Sequence, residues 1–148
     1  MSTETNEHVV DKSDWPDGPW KDEPDKLVWV DEATDLDCMI VRGTAGALCG
    51  YVGVPPEHSQ HGKGYDDVDV MIHGGLTYAD KCHGVICHVP LPGREHQLWW
   101  LGFDCAHYAD YSPGMARYSL NRPEETYKDI EYVKRQVTDL AKQLKEMT

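Results

Sequence analysis

Two short words of this 148-residue chain concentrate the side chains that can do chemistry: HGGLTY, from His73 to Tyr78, and WWLGFDCAH, from Trp99 to His107. A histidine followed by Gly74 and Gly75 leaves its imidazole open and lets backbone amides approach, because glycine has no Cβ and accepts positive φ. Asp104, Cys105 and His107 follow directly on an aromatic run. If the two words lie side by side, one cleft holds His73, Asp104, Cys105 and His107, lined by Gly74, Gly75, Tyr78 and Trp100. Imidazole nitrogen and carboxylate oxygen suit a divalent metal such as zinc, so His73, Asp104 and His107 form a candidate metal set. The same groups suit metal-free acid–base work, with Asp104 orienting a histidine. The plain alternative is that these polar groups pair with backbone and hold loops.

Cys105 is a candidate nucleophile. An Asp-Cys pair before a turn resembles cysteine peptidases whose Cys opens a helix, where the helix N-terminus and a His activate the thiolate. No His follows His107, so His73 would have to serve as the base. CHGVICH, from Cys82 to His88, carries two Cys-His pairs, but in an extended segment His83 and Cys87 face one way while Cys82 and His88 face the other. Four ligands then cannot meet at one metal, and the short CxxC knuckle is missing. The glycines from Gly43 to Gly50 match neither GxxxxGK[ST] nor GxGxxG, so no phosphate loop is read there. Trp99 and Trp100 point to opposite faces of a strand, one for the core and one for a cleft. Tyr78 and Tyr108 divide between structural and ligand-facing roles.

The elements that must position these groups are short strands and one helix. LVWV, CMIV, CGYVGV and QLWWLGFDC read as strands, with DEATD a turn and the Gly43–Gly46 stretch a second turn. EHSQHGKGYDD is a polar loop. VDVMIHGG alternates, with Val68, Val70 and Ile72 on one side and Asp69, Met71 and His73 on the other, which predicts a half-buried strand ending at His73. A short strand is expected near Val85–Val89. From about Pro123 to Glu146, apolar residues recur at spacings of three and four, which predicts a helix of about six turns capped by Asn121. The expected fold is α+β: a mostly antiparallel sheet of short strands covered by a long C-terminal amphipathic helix. Residues 1–25, acid-rich and broken by Pro16, Pro19 and Pro24, read as a flexible arm ahead of a single domain over 26–148. Trp15 and Trp20 in that arm are costly to leave in water, so they are expected to dock on the domain or on a partner.

The formal net charge of -12 argues against general binding of a nucleic-acid backbone, which requires phosphate neutralisation by Lys and Arg. It fits an acidic, soluble surface. The five cysteines are odd in number, the N-terminus lacks an export signal, and no run approaches the roughly 20 apolar residues of a membrane span. Reduced thiols and a cytoplasmic location are therefore expected.

The words CGYVGVPPEH, HGGLTY, ICHVPLPG and WWLGFDCAH, followed by a terminal helix like YKDIEYVKRQVTDLAKQL, resemble in content and order a family of small proteins of tailed bacteriophages and prophage-bearing bacteria. The resemblance runs from about Asp35 to Leu144. It implies a phage or prophage accessory protein acting in the host cytoplasm, and it assigns no reaction. Two functions are consistent with the residues. One is a binding protein that captures a host protein or small ligand through a polar-aromatic cleft. The other is a small metal-assisted or Cys-dependent hydrolase built on His73, Asp104, Cys105 and His107.

Overall fold

The computed structural model describes residues 5–7, 10–43, 45–83, 86, 97–106, 110–114 and 126–147. Among them, six strands form one sheet: β1 (Thr5–Glu7), β2 (Lys26–Val30), β3 (Asp37–Arg42), β4 (Leu48–Val54), β5 (Tyr78–Lys81) and β6 (Trp99–Asp104). Their order is β1-β2-β3-β4-β6-β5, and every neighbouring pair is antiparallel. Helix α1 (Ile130–Lys145) packs against β3 and β4. The chain is thus α+β, as expected. No helix among the described residues is long and apolar enough to cross a membrane.

The strands form where apolar, β-branched and aromatic residues run between turn formers. At DEATD the Asp31 carboxylate accepts from the Thr34 amide and hydroxyl, and Asp35 takes a φ of 61° to reverse the chain. The pleat then divides the side chains. Leu27, Trp29, Cys38, Ile40, Leu48, Val52, Leu101 and Phe103 face α1, where Val133, Val137, Leu140, Ala141 and Leu144 close the main core. Met39, Tyr51 and Trp100 lie on the other face with Ile86 and Leu98. Gly50 belongs to the helix face: a Cβ there would sit 2.6 Å from both Phe103 and Val137, so only glycine lets α1 approach this closely. Gly102 does the same on the outer face, where a Cβ would strike the Tyr51 ring at 2.2 Å.

Several expectations are corrected. The helix does not start near Pro123. Asp129 is the N-cap, its side chain accepting from the Tyr132 amide, and Glu23 accepts from the Ile130 amide. Thr126 is drawn instead into a bridge with Asp110, and Tyr127 into hydrogen bonds with Glu23 and Arg42, so residues 126–129 stay outside the helix. Asn121 and Pro123 lie outside the described residues. Val68–Ile72 alternates as read, with Val68 buried and Met71 85% exposed, but it joins no strand ladder, and His73, expected on the side of Asp69 and Met71, packs instead against Tyr132 of α1. Its backbone is held by α1 side chains: Gln143 bonds both the amide and carbonyl of Met71, and Gln136 accepts from the His73 amide. The strand expected at Val85–Val89 lies outside the described residues apart from Ile86. β5 was not expected; it extends HGGLTY along β6. Of the cysteines, Cys38, Cys49 and Cys105 are free thiols, whereas Cys82 is disulfide-bonded, against the expectation that all are reduced.

Within residues 1–25, which read from sequence as a flexible arm, β1 pairs with β2, and the chain is tied to the domain again from Val10 on. Asp25 accepts from the Val10 amide and pairs with Lys12 and Arg42, both at 2.8–2.9 Å. Trp20 is buried against Tyr111 and Tyr127, so one of the two tryptophans docks on the domain. Trp15 is half-buried.

Candidate functional site

The two words do lie side by side. β5 runs antiparallel to β6, the Thr77 amide donates to the Gly102 carbonyl, and the Thr77 hydroxyl donates to Asp104. The pleat nevertheless separates their chemistry. Tyr78 stands opposite Gly102, and Trp100 and Asp104 share that outer face two residues either way. Cys105 turns into the helix-side core, and His73 lies against α1. His107 and Tyr108 lie outside the described residues.

On the outer face, Tyr51 and Tyr78 meet edge to face, with ring centroids 5.4 Å apart at 86°. Trp100 is buried beneath them, and Cys49 stands opposite Asp104 across the β4–β6 pair. Asp104 accepts from the Thr77 hydroxyl at 3.1 Å and from the Ala106 amide at 3.1 Å. The Tyr78 hydroxyl is buried and finds no hydrogen-bond partner among the described residues. Burial and the nearby Asp80 charge push its ionisation up, so it is a protonated donor at neutral pH.

On the helix side, His73 follows the Val68–Ile72 segment onto α1 and precedes two glycines with φ of 68° and 82°. Its Nε2 lies 2.8 Å from Asp110 Oδ2 and its Nδ1 lies 2.7 Å from the Tyr132 hydroxyl. An ionised carboxylate only accepts, so Nε2 carries the proton and donates to Asp110. In the neutral ring Nδ1 then accepts from Tyr132. The Asp110 side chain is 3% exposed and that of His73 16%, and Lys128 reaches the second carboxylate oxygen at 3.2 Å. Lys128 also lies over the Tyr132 ring, 5.8 Å from its centroid. Asp110, Tyr132 and Lys128 were not singled out from the sequence. Asp110 sits in the polar stretch after β6, and Tyr132 lies beside the apolar stripe of α1, but nothing local marks either as a partner of His73.

Cys105 is built as a core thiol. It is 2% exposed, and burial, with the charge of Asp110 next in importance, pushes its ionisation well up. A nucleophilic cysteine requires the reverse, a thiolate stabilised near neutral pH. Gly74 and Gly75 form the turn after His73, and a Cβ on Gly75 would meet nothing within 4 Å, leaving that approach open. Among the described residues, no three His, Cys, Asp or Glu side chains gather as a metal-binding set. Two other histidines have structural ties: buried His58 donates from Nε2 to the Leu144 carbonyl at the end of α1, and His61 Nε2 pairs with the Gln97 carbonyl.

Comparison with family models, with curated proteins and with solved structures returns no match.

Proposed function

We propose that this chain is a binding protein, a phage or prophage accessory factor that holds a host protein or a small ligand on the outer face of its sheet. What supports this reading is the Tyr78 hydroxyl, a buried donor without a partner among the described residues. Such a group costs about 1–3 kcal/mol unless an acceptor reaches it, and native proteins keep few of them. Around it stand the ring of Tyr51, buried Trp100 and the half-buried Asp104, an apolar floor with few polar groups, as ligand sites commonly have. The occupant that fits offers a flat or apolar group to the two tyrosine rings and a carbonyl-type acceptor to Tyr78. The formal charge of -12 disfavours a polyanion. The Cys-dependent alternative loses support from the burial of Cys105.

Thermal-shift measurements against nucleotides and other metabolites, together with capture from bacterial lysate, test the reading. A shift or a captured protein that disappears in Tyr78→Phe is the expected result. Absence of any shift and any captured partner for the wild-type chain would count against it.

A further inference from the structure

We infer that Tyr132, His73 and Asp110 form a second site, an acyl-transfer site for small carboxylic esters, with the Tyr132 oxygen as nucleophile and His73 as its base. This goes beyond the binding face, from which it is separated by the pleat of the sheet. The geometry carries it. A hydroxyl lies 2.7 Å from an imidazole nitrogen, and the opposite ring nitrogen lies 2.8 Å from a carboxylate that is almost wholly buried. Nucleophile within reach of base, and base oriented by a third group, is the arrangement by which a weak oxygen nucleophile is activated. Here Asp110 is a positioning residue: it fixes the tautomer that leaves Nδ1 open to the Tyr132 proton. Lys128 holds the other Asp110 oxygen, which keeps the carboxylate aimed.

Burial and the nearby Asp110 carboxylate push the Tyr132 hydroxyl up, offset in part by Arg135, so the resting group is a phenol. Its reactivity then depends on His73 taking the proton as the bond forms. In the first step the Tyr132 oxygen attacks the ester carbonyl carbon and its proton passes to Nδ1. The C–O bond to the alcohol breaks, and the departing oxygen takes the proton from His73. Water next attacks the acyl-tyrosine, again giving a proton to Nδ1. The acid leaves, and the Tyr132 oxygen recovers that proton. The sum is ester plus water to acid plus alcohol. An acyl group on a phenol is labile to water, whereas a phosphoryl group on tyrosine is persistent; turnover with water alone therefore points to carboxylic rather than phosphate esters.

The test uses the full chain and 4-nitrophenyl acetate, with acetylated positions mapped by peptide mass spectrometry after a short reaction. The expected result is an acetyl group on Tyr132 at about 100 times the level of any other tyrosine, lost in Tyr132→Phe. His73→Ala is expected to lower nitrophenol release about 100-fold, with added imidazole restoring release above the rate of imidazole and ester without protein; a merely structural histidine would not be rescued in this way. Asp110→Asn is expected to slow release, and Asp110→Glu to recover part of it. Even acetylation across the tyrosines overturns the proposal, as does no adduct at Tyr132 or an unchanged rate in a folded His73→Ala or His73→Gln. The wild-type map decides the question even where a variant fails to fold.

Discussion

Replacing Tyr78 by Phe removes one oxygen and leaves the ring. For a hydrogen-bonded tyrosine that change costs roughly 0.5–1.5 kcal/mol. At Tyr78 the sign reverses, because the hydroxyl is buried without a partner among the described residues. The unfolded chain hydrates the hydroxyl, the folded chain does not, and a group in that position carries a penalty of about 1–3 kcal/mol. The edge-on contact with Tyr51 survives, since it uses the ring alone. Tyr78→Phe is therefore expected to gain about 1 kcal/mol. In urea titration this raises the midpoint without changing the slope, and in a thermal melt it raises Tm by roughly 2–4 °C. Tyr51→Phe is the internal control: its hydroxyl bonds Cys49, and the variant is expected to lose about 1 kcal/mol. The two tyrosines thus move in opposite directions at neighbouring positions on one face. If Tyr78→Phe loses 1 kcal/mol or more with an unchanged slope, the hydroxyl has a partner in the native state, and the case for an outer-face ligand falls with it.

Native Cys38, Cys49 and Cys105 are expected to resist a thiol reagent at pH 8 and to react after unfolding in guanidinium: burial pushes Cys49 up to about 11 and the other two well up. Rapid native modification of Cys105 would revive a nucleophilic role. Burial alone would raise the Asp25 carboxyl, but the Lys12, Val10 and Arg42 bonds outweigh it and hold it below its ordinary 3.8. Its stabilisation is thus present above about pH 4 and lost as pH falls through the lower native value. Asp25→Asn, which leaves Arg42 and Lys12 facing an amide, is expected to cost about 3–5 kcal/mol at pH 7 and to flatten the loss of stability on acidification, read by urea titrations at pH 7 and pH 3. Gly50→Ala is expected to cost about 1–3 kcal/mol by pushing α1 from β4; a neutral result in the same titration would show that Phe103 and Val137 yield freely.

Most of the fold was legible because its signals are local. Alternation and turn residues mark β2, β3, β4 and β6 within windows of five to seven residues. The errors arise where partners come from far along the chain. The apolar spacing before Asp129 reads as helix, yet Tyr127 is drawn toward Glu23, 104 residues away, and Arg42, 85 residues away. Val68–Ile72 alternates like a strand because it is half-buried, and period two reports burial on one side rather than a ladder. The Met71 backbone and the His73 amide bond the side chains of Gln143 and Gln136, seven residues apart on α1, which no pattern within residues 68–73 encodes.

The two chemistry-bearing words show the same limit more sharply. Their adjacency enters the sequence reading only as a condition, and β5, which meets it by continuing HGGLTY along β6, carries no strand signal of its own. Convergence of their side chains does not follow from adjacency, because neighbouring positions on a strand face opposite ways. Asp104 and Cys105 are consecutive, yet one stands on the outer face beside Thr77 and the other enters the core under α1. His73 takes its carboxylate from Asp110, 37 residues on, and its hydroxyl from Tyr132, 59 residues on. One cleft read from sequence thus becomes two faces with different chemistry. The outer face keeps a phenol that has no hydrogen-bond partner among the described residues, while on the helix side His73 pairs with a carboxylate and a hydroxyl. A ligand on the first face and an acyl group on Tyr132 would be independent events, and a substitution that abolishes one while sparing the other is what this division of the sheet requires.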